Sequence, residues 1–413
     1  MKEEAKKVLK KLEEHGYEAY FVGGCVRDWL LHRPVHDIDI CTNAHPGDIM
    51  KLFPDHIPTG LQHGTVTVKQ DGYLFEVTTF RTEGVYEDFR RPSEVTYVNE
   101  VVEDLARRDF TINAMAMKYN KELIDPFFGL EDVNDHVIRA VGDANRRFHE
   151  DALRLIRGVR FASQLGFQIE DETRKAMRDN APLLIHIAVE RVREECNKLI
   201  DSRHPDKGFQ FAKQTKIFQS IPLLQQLFDQ STMHLWRLQT VESVIHKWVV
   251  LLFAADFSWE QSRELCRYLK MSRKEEETIT FLMQQLMLLQ PLWDQCQSID
   301  WARLIMKHGR ERCYDLEKVL DVLWWNDLSN KKITLQATLD KMAVKTLKEL
   351  AVDGSEIRKL SDQKQGPWIQ KTLEYLWERT VTGELANVSE ALLIAAKDFI
   401  HGEMEHPANE IKK

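Results

Sequence analysis

The period of the apolar residues changes near residue 140, and this change constrains the fold more than any other feature of the 413-residue chain. Before residue 140, short β-type runs alternate with helical segments. After residue 144, apolar residues recur at i, i+3 and i+4, and glycine and proline become sparse. The pattern predicts an α+β protein, in which a small head with a mixed sheet and flanking helices precedes an all-helical remainder. We place the part boundaries at 1–140, 141–200, 201–305 and 306–413.

Residue types assign the strands of the head and the first helices after it. Strands are predicted at 20–22, 37–40, 65–68, 73–80 and 123–124, and Asp71-Gly72 favours a two-residue hairpin turn between the third and fourth. Residues 83–92 break the pattern and predict a loop. Helices are predicted at 148–164, 170–179, 187–201 and 206–219.

Composition limits the class of protein and its partners. The longest apolar run, 248–255, has eight residues, whereas a membrane span needs about 20. The charged N-terminus lacks the apolar core of a signal peptide. Six scattered cysteines without a C-x-x-C pair indicate reduced thiols. We therefore expect a cytoplasmic protein with no membrane partner.

Because the net charge is −8, a polyanion would need a locally basic surface. The sequence leaves the oligomeric state open, with a homodimer as one option.

A pair of carboxylates follows a double glycine in the head. Asp37 and Asp39 are two residues apart on a predicted strand, so their side chains share one face. Two adjacent carboxylates repel unless a cation lies between them, and Mg²⁺ binds one or two carboxylates together with water and phosphate oxygens. Gly23-Gly24 would permit close backbone approach to a phosphate chain, and Arg27 would add a positive charge. A solvated strand end is the alternative interpretation.

Other candidate ligands near this pair are less specific. Glu76 could supply a third carboxylate or could be a surface residue of its strand. His32 and His36 have i, i+4 spacing, but Pro34 breaks the helix that they would need to bind one metal ion. We therefore interpret both histidines as structural or surface residues.

Two arginine-rich segments complete the pattern. The segment 107–114, Arg-Arg-Asp-Phe-Thr-Ile-Asn-Ala, suits a ribose and a triphosphate, or alternatively an interdomain cluster of salt bridges. The segment 150–161 places Asp151 and Arg154 at i, i+3 on a predicted helix. Arg157 and Arg160 follow in steps of three, so these residues wrap around the helix. The alternative is an ordinary ladder of surface ion pairs.

Taken in this order, the three motifs, at 23–39, 107–114 and 150–161, closely resemble the class II tRNA nucleotidyltransferase and bacterial poly(A) polymerase superfamily. Within it, the chain is most similar to bacterial CCA-adding enzymes. The motifs cover about residues 20–165. The resemblance implies a nucleotidyltransferase head followed by a neck, a body and a tail that binds tRNA. Weaker matches at 366–368 and 383–387 are similar to the tail of the family.

The resemblance also implies an activity, partners and residue roles. Mg²⁺-dependent addition of C, C and A to a tRNA 3′ end, from CTP and ATP and without a template, is the implied reaction. Asp37 and Asp39 would hold the metal ions. The residues implied in nucleotide binding are Gly24, Arg27, Arg108, Asp151, Arg154, Arg157 and Arg160. The segment 83–92 would form the loop that helps the switch from C to A addition.

Base selection follows from hydrogen-bond chemistry if Asp151 and Arg154 contact the base. Cytosine and adenine both present an amino donor beside a ring-nitrogen acceptor, and uracil and guanine present the reverse. A carboxylate only accepts and a guanidinium only donates, so this pair would complement C and A.

Three other activities remain open. A bacterial poly(A) polymerase shares the motifs, but residues 349–413 contain more acidic than basic residues, which does not favour binding of bulk RNA. The 83–92 segment argues against a CC-only enzyme, whereas an A-only enzyme stays possible on these grounds. A non-enzymatic RNA-binding protein is the distant alternative, because the set of acidic residues is complete.

Overall fold

The computed structural model describes residues 1–84, 86–87, 91–92, 95–230, 235–295, 298–324 and 335–405. The chain divides into two compact units, Met1–Thr280 and Phe281–Lys413. The α+β class is confirmed, with the sheet in the first unit and helices through the rest of the chain. In the described ranges, no helix is both long and apolar enough to cross a membrane.

The strands of the first unit form one large sheet and three small pairs. In chain order they are β1 (Ala19–Val22), β2 (Asp39–Thr42), β3 (His56–Ile57), β4 (Thr65–Gln70), β5 (Tyr73–Thr79), β6 (Arg81–Glu83), β7 (Tyr86–Glu87), β8 (Arg91–Pro92), β9 (Val95–Tyr97), β10 (Ala116–Met117), β11 (Leu123–Ile124), β12 (Val137–Ile138) and β13 (Gln168–Ile169). The large sheet has the order β11-β10-β1-β2-β5-β4-β3. It is mixed, as predicted, because β2 and β5 run parallel while its other neighbours are antiparallel.

The predicted hairpin is confirmed. Gln70 pairs with Tyr73, which leaves only Asp71 and Gly72 in the turn. Both turn residues have positive φ, 48° and 83°, as a type I′ turn requires. The twist of this turn matches that of the two strands, and so the turn fixes the register of β4 against β5.

The predicted loop over 83–92 is wrong where the chain is described. Glu83 ends β6, which pairs with β9, and Tyr86–Glu87 pairs antiparallel with Arg91–Pro92. The polar composition of the segment gave no signal for these short strands. Residues 85 and 88–90 lie outside the described residues.

Helices make up most of the chain. They are α1 (Lys2–Glu14), α2 (Gly24–Leu30), α3 (Pro46–Leu52), α4 (Val101–Ala106), α5 (Gly129–Asn134), α6 (Ala144–Glu150), α7 (Leu153–Leu165), α8 (Asp171–Asn180), α9 (Val189–Ile200), α10 (Pro205–Thr215), α11 (Pro222–Gln230), α12 (Val244–Ala254), α13 (Trp259–Tyr268), α14 (Arg273–Asp294), α15 (Trp301–His308), α16 (Arg310–Leu323), α17 (Leu335–Lys341), α18 (Gly354–Arg358), α19 (Pro367–Val381) and α20 (Ser389–Glu405).

The helix predicted over 148–164 is two helices, α6 and α7. Asp151 has extended backbone angles, φ −138° and ψ 104°, so the i→i−4 ladder stops there. Its carboxylate accepts a hydrogen bond from the N–H of Leu153, an orphan donor in the first turn of α7. A second difference is the short parallel pair of β12 and β13, which places one strand in a part predicted to be all-helical.

We predict that Gly129→Ala destabilises the first unit. Gly129 begins α5, and a Cβ there would lie 2.3 Å from the carbonyl oxygen of Thr111, which is backbone and cannot move aside cheaply. We expect a loss of about 2–3 kcal/mol of unfolding free energy, as for overpacked cores. Urea denaturation followed by circular dichroism measures it. Gly47→Ala in α3 is the matched control, because its Cβ would meet no atom within 4 Å. Equal stability of the two variants would contradict the prediction.

A second prediction concerns Asp109, which is buried against α7. Burial alone would raise the pKa of this carboxyl, but the guanidinium groups of Arg157 and Arg154 hold the pKa well below its usual range. Because the folded pKa is depressed, the ionised carboxylate stabilises the fold above the unfolded-state pKa of about 4. The same stabilisation is lost as the pH falls below that value.

We therefore expect Asp109→Asn to cost about 3 kcal/mol at pH 7, since it leaves a partly buried guanidinium without its carboxylate. The cost should be the same at pH 5 and should shrink below about pH 4. Urea titrations across this pH range measure it. Asp171→Asn is the control, because its ion pair with Arg174 is exposed. A cost that grows on acidification would rule out this account.

Candidate active site

A glycine turn between β1 and α2 forms one wall of the site. Gly23 has φ 78° and ψ −134°, a conformation that residues with a Cβ rarely adopt. A Cβ at this position would also lie 2.9 Å from Arg108 Nη1. The backbone angle therefore favours glycine, and a Cβ would in addition displace the Arg108 guanidinium. The turn brings Arg108 against the start of α2, whose first residue is Gly24.

The predicted carboxylates lie beside this turn. Asp39 begins β2, whereas Asp37 precedes it, so the strand predicted over 37–40 starts two residues later than expected. Asp37 and Asp39 are exposed, whereas Ile38 and Ile40 are buried in the core, as the predicted alternation requires. Asp39 is opposite Val22 on one side and Glu76 on the other. The parallel pairing of β2 and β5 therefore places Glu76 next to Asp39.

The electrostatic environment of Asp39 favours a cation. Solvent reaches its side chain, but the surrounding protein atoms desolvate the carboxylate and raise its pKa. The negative charges of Glu76 and Asp37 act in the same direction, and the Arg108 guanidinium acts against them. A positive ion among these carboxylates would relieve the repulsion between them.

The donor set fits a hard divalent cation with an incomplete protein shell. In the described part of the chain, no group of three or more His, Cys, Asp or Glu side chains is arranged to hold a metal ion. Magnesium does not need such a group, because it retains water and takes one or two carboxylates together with substrate phosphate oxygens. The pair Asp37 and Asp39 meets that requirement.

Arg27 is not the solvated cation that its position in the first turn of α2 suggests. It is buried, and its Nε and Nη2 donate to the two carboxylate oxygens of Asp28, at 3.0 and 2.9 Å. Its Nη1 donates to Asn113 Oδ1 at 2.6 Å. The guanidinium is therefore fixed in place by its own helix and by the segment 107–114.

Asp104 organises the two arginines of that segment. It is fully buried within α4, and it accepts hydrogen bonds from Arg107 at 2.8 and 3.0 Å and from Arg108 at 3.2 Å. Burial would raise the pKa of Asp104, but the two guanidinium groups hold it below its usual value. The salt-bridge cluster considered from the sequence is present here. Among the described residues, Arg108 Nε is buried without a hydrogen-bond partner, so Arg108 keeps capacity for a ligand.

Asp151 and Arg154 are neighbours in the chain but not partners. Asp151 Oδ2 accepts from Arg191 of α9 at 3.0 Å, while its Oδ1 accepts from the N–H of Leu153. Arg154 Nη1 donates to Glu150 Oε2 and to the carbonyl of Arg147, and its Nη2 donates to the carbonyl of Arg107. The side chains of Asp151 and Arg154 therefore have different partners, and the contact between the two residues is a backbone one, from the Arg154 N–H to the Asp151 carbonyl at 3.0 Å.

The other two arginines of α7 each have a carboxylate from a different element. Arg157 Nε donates to Asp109 Oδ2 at 2.8 Å, and Arg160 Nε lies 2.7 Å from Glu195 Oε2 on α9. Burial lowers the pKa of Arg160 to about 10, so it remains a cation at neutral pH. The three arginines of α7 have carboxylate partners on different segments, as expected of residues that wrap around a helix, but Asp151 precedes α7 and is not part of that helix.

Several residues of this site were not predicted from the sequence. Asp104 could have been found, because it precedes Arg107 and Arg108 by three and four residues on a helix. Arg191 and Glu195 gave no such signal, because their partners lie 40 and 35 positions earlier in the chain. Only the packing of α9 against α7 brings them to the site.

Three family models match successive parts of the chain. Residues 19–139 match the model of the poly(A) polymerase head domain, and residues 166–227 match one described as a probable RNA and SrmB-binding site of polymerase A. Residues 239–396 match tRNA nucleotidyltransferase domain 2. The three matches follow one another along the chain, and the first contains the glycine turn, the carboxylates and the segment 107–114.

Relatives resemble the chain over nearly its whole length. The CCA-adding enzyme of Limosilactobacillus reuteri (strain DSM 20016) is 40% identical over 395 residues, 95% of each chain. That of Geobacillus sp. (strain WCH70) is 38% identical over 410 residues, covering 96% of this chain and 97% of the relative. The crystal structure of the Bacillus stearothermophilus CCA-adding enzyme in complex with CTP superposes with a TM-score of 0.85, at 34% identity and 98% coverage of both chains. On this evidence, the chain belongs to the family of CCA-adding enzymes, nucleotidyltransferases built on the poly(A) polymerase head.

Proposed function

We propose that this protein adds C, C and A to the 3′ end of tRNA, using CTP and ATP, without a nucleic-acid template and with release of pyrophosphate. The observation that carries the proposal is the placement of Asp39 beside Glu76, next to the glycine turn that holds Arg108. Full-length similarity to CCA-adding enzymes supports the substrates. The described cysteines are unbridged, which is compatible with action in a reducing cytoplasm.

Asp37 and Asp39 would hold Mg²⁺, and Glu76 is the neighbouring carboxylate that could assist them. Bound Mg²⁺ would supply charge neutralisation at the α-phosphate and would lower the pKa of the attacking 3′-hydroxyl. Two carboxylates in the protein shell leave room for triphosphate oxygens. This donor set suits Mg²⁺ better than a softer metal ion, because all its atoms are hard oxygens.

The nucleotide would be held by donors that are already oriented. Gly24 permits close approach of the backbone, and Arg27, Arg108, Arg157 and Arg160 supply positive charge. Arg108 Nε, a buried donor without an acceptor among the described residues, would gain one from the nucleotide. Fixed donors need no reorganisation when the substrate binds, so they stabilise developing charge more than mobile ones would.

Asp151 and Arg154 would select the base. Arg154 makes three hydrogen bonds within the described chain, and a guanidinium has five N–H groups, which leaves two for a base. Asp151 uses one site on each oxygen, and a carboxylate offers about four. Since each residue is held by other partners, neither must be released from the other before the base can bind.

A second candidate in the same family is an enzyme that adds only A, and a poly(A) polymerase is a third. Incubation with tRNA lacking its last three nucleotides separates them. The transcript is supplied with Mg²⁺ and with CTP, ATP or both, and its 3′ ends are then sequenced. CC from CTP alone, and CCA from both, supports our proposal. A-only products, or long A tails, would support the alternatives.

We predict that Asp39→Asn abolishes both C and A addition in this assay, with a loss of at least about 1,000-fold, because it removes a charge that holds the metal ion. Binding of tRNA, measured by filter retention, should be unchanged. Asp55→Asn is the matched control, because Asp55 is an exposed acid of the same head that pairs with Lys69. If Asp39→Asn adds either nucleotide at near the wild-type rate, Asp39 does not hold the metal.

We predict that Asp151→Ala and Arg154→Ala each lower the use of CTP and ATP together and reduce the preference over UTP and GTP. Lost or mismatched hydrogen bonds cost about 1–3 kcal/mol each, which corresponds to roughly 10- to 100-fold in selectivity. Single-nucleotide incorporation with all four triphosphates measures the ratios. The control is Asp171→Ala and Arg174→Ala, an exposed pair with the same spacing on α8. Full selectivity in both Asp151→Ala and Arg154→Ala would place base reading elsewhere.

A further inference from the structure

One buried aromatic ring contacts three of the arginines assigned to the nucleotide. The guanidinium carbons of Arg27, Arg157 and Arg160 lie 5.2, 5.3 and 4.2 Å from the centre of the Phe161 ring. A cation within about 6 Å of a ring centre is attracted to its π electrons, and such contacts occur about once per 75 residues. Three on a single ring therefore form an unusual cluster.

The ring joins cations from separate elements. Arg27 belongs to α2 of the glycine turn, and Arg157 and Arg160 belong to α7 with Phe161 itself. Phe110, from the segment 107–114, packs against the ring edge-to-face, with centroids 5.8 Å apart and planes at 83°. Phe161 is buried, so this packing restricts its rotation.

Each guanidinium also has a carboxylate partner. Asp28, Asp109 and Glu195 pair with Arg27, Arg157 and Arg160 respectively. Asn113 accepts a hydrogen bond from Arg27 and donates one to Asp109, so this polar network links Arg27 to Arg157. Arg160 pairs instead with Glu195 of α9. The Phe161 ring contacts all three, and so it adds Arg160 to the pair that Asn113 and Asp109 link.

We propose that Phe161 is a positioning residue for nucleotide binding: its ring holds the guanidinium groups of Arg27, Arg157 and Arg160 in the array that receives the triphosphate. This inference rests on the proposed function and goes beyond it, because Phe161 itself has no group that could bind a phosphate. The ring places cations from α2 and α7 close together before the polyanion arrives.

The proposal predicts an effect on binding rather than on chemistry. The triphosphate carries its charge in the ground state and in the transition state, so an array that binds this charge contributes to both equally. Weakening the array should therefore raise KM and leave kcat almost unchanged. CTP and ATP should be affected alike, because the array contacts neither base.

The test replaces Phe161 with phenylalanine carrying one, two and three ring fluorines, incorporated at an amber codon in the full-length protein. Fluorination withdraws π electron density in steps while it nearly preserves the shape of the ring. We expect the dissociation constants of CTP and ATP, measured by calorimetry with Mg²⁺, to rise stepwise to about tenfold. The KM values should follow, with kcat within about twofold and the order of base preference unchanged.

The matched control is the same series at Phe167, a buried ring whose described ring contact is with His136. Its fluorination should alter neither dissociation constant. If the Phe161 series changes the thermal stability but not the nucleotide affinity, Phe161 is only a core residue and the inference is overturned. A wild-type protein that binds CTP but does not add CCA would refute the proposed function alone, whereas one that does not bind CTP would overturn both.

Discussion

Compensation of buried positive charge is the constraint on which the site depends. A guanidinium taken out of water is strongly destabilising unless a carboxylate or a carbonyl oxygen accepts its hydrogen bonds. Arg27, Arg154 and Arg160 are largely buried, and each has a carboxylate within 3 Å. These acidic partners therefore allow several arginines to be buried close together before any nucleotide binds.

This compensation also determines how the first unit is held together. The partners of the α7 arginines come from α6, from α9 and from the segment after α4, so charged contacts connect one helix to two others and to one non-helical segment. Arg154 additionally donates to the carbonyl of Arg107, which ties α7 to the backbone of the segment that carries Arg108. A shift of α7 would break several of these contacts together. Such a shift would separate largely buried charges from their partners, which is strongly unfavourable.

Sequence inspection predicted those features that depend on local chemistry. The β4–β5 hairpin follows from Asp71-Gly72, and the alternation around Asp39 follows from strand geometry. It did not predict the break at Asp151, because apolar periodicity continues through 148–164 while one carboxylate redirects the backbone. Nor could it find the Arg191 and Glu195 contacts or the Phe161 cluster, which depend on how distant helices pack. The motifs suggested roles for these residues, whereas their hydrogen-bond and ion-pair partners could be identified only from the fold.

Asp151 and Arg154 are held by different partners, and this limits how the two side chains could select two bases. Cytosine and adenine present the same donor–acceptor pair on the edge that these residues would contact, so a rigid acceptor and a rigid donor can serve both. Arg191 and Glu150 hold the two side chains from different helices, which suits a pair that does not rearrange between additions. The edge chemistry alone then cannot distinguish C from A. Under the proposed function, that distinction must arise from groups that sense the size of the base or the length of the RNA end.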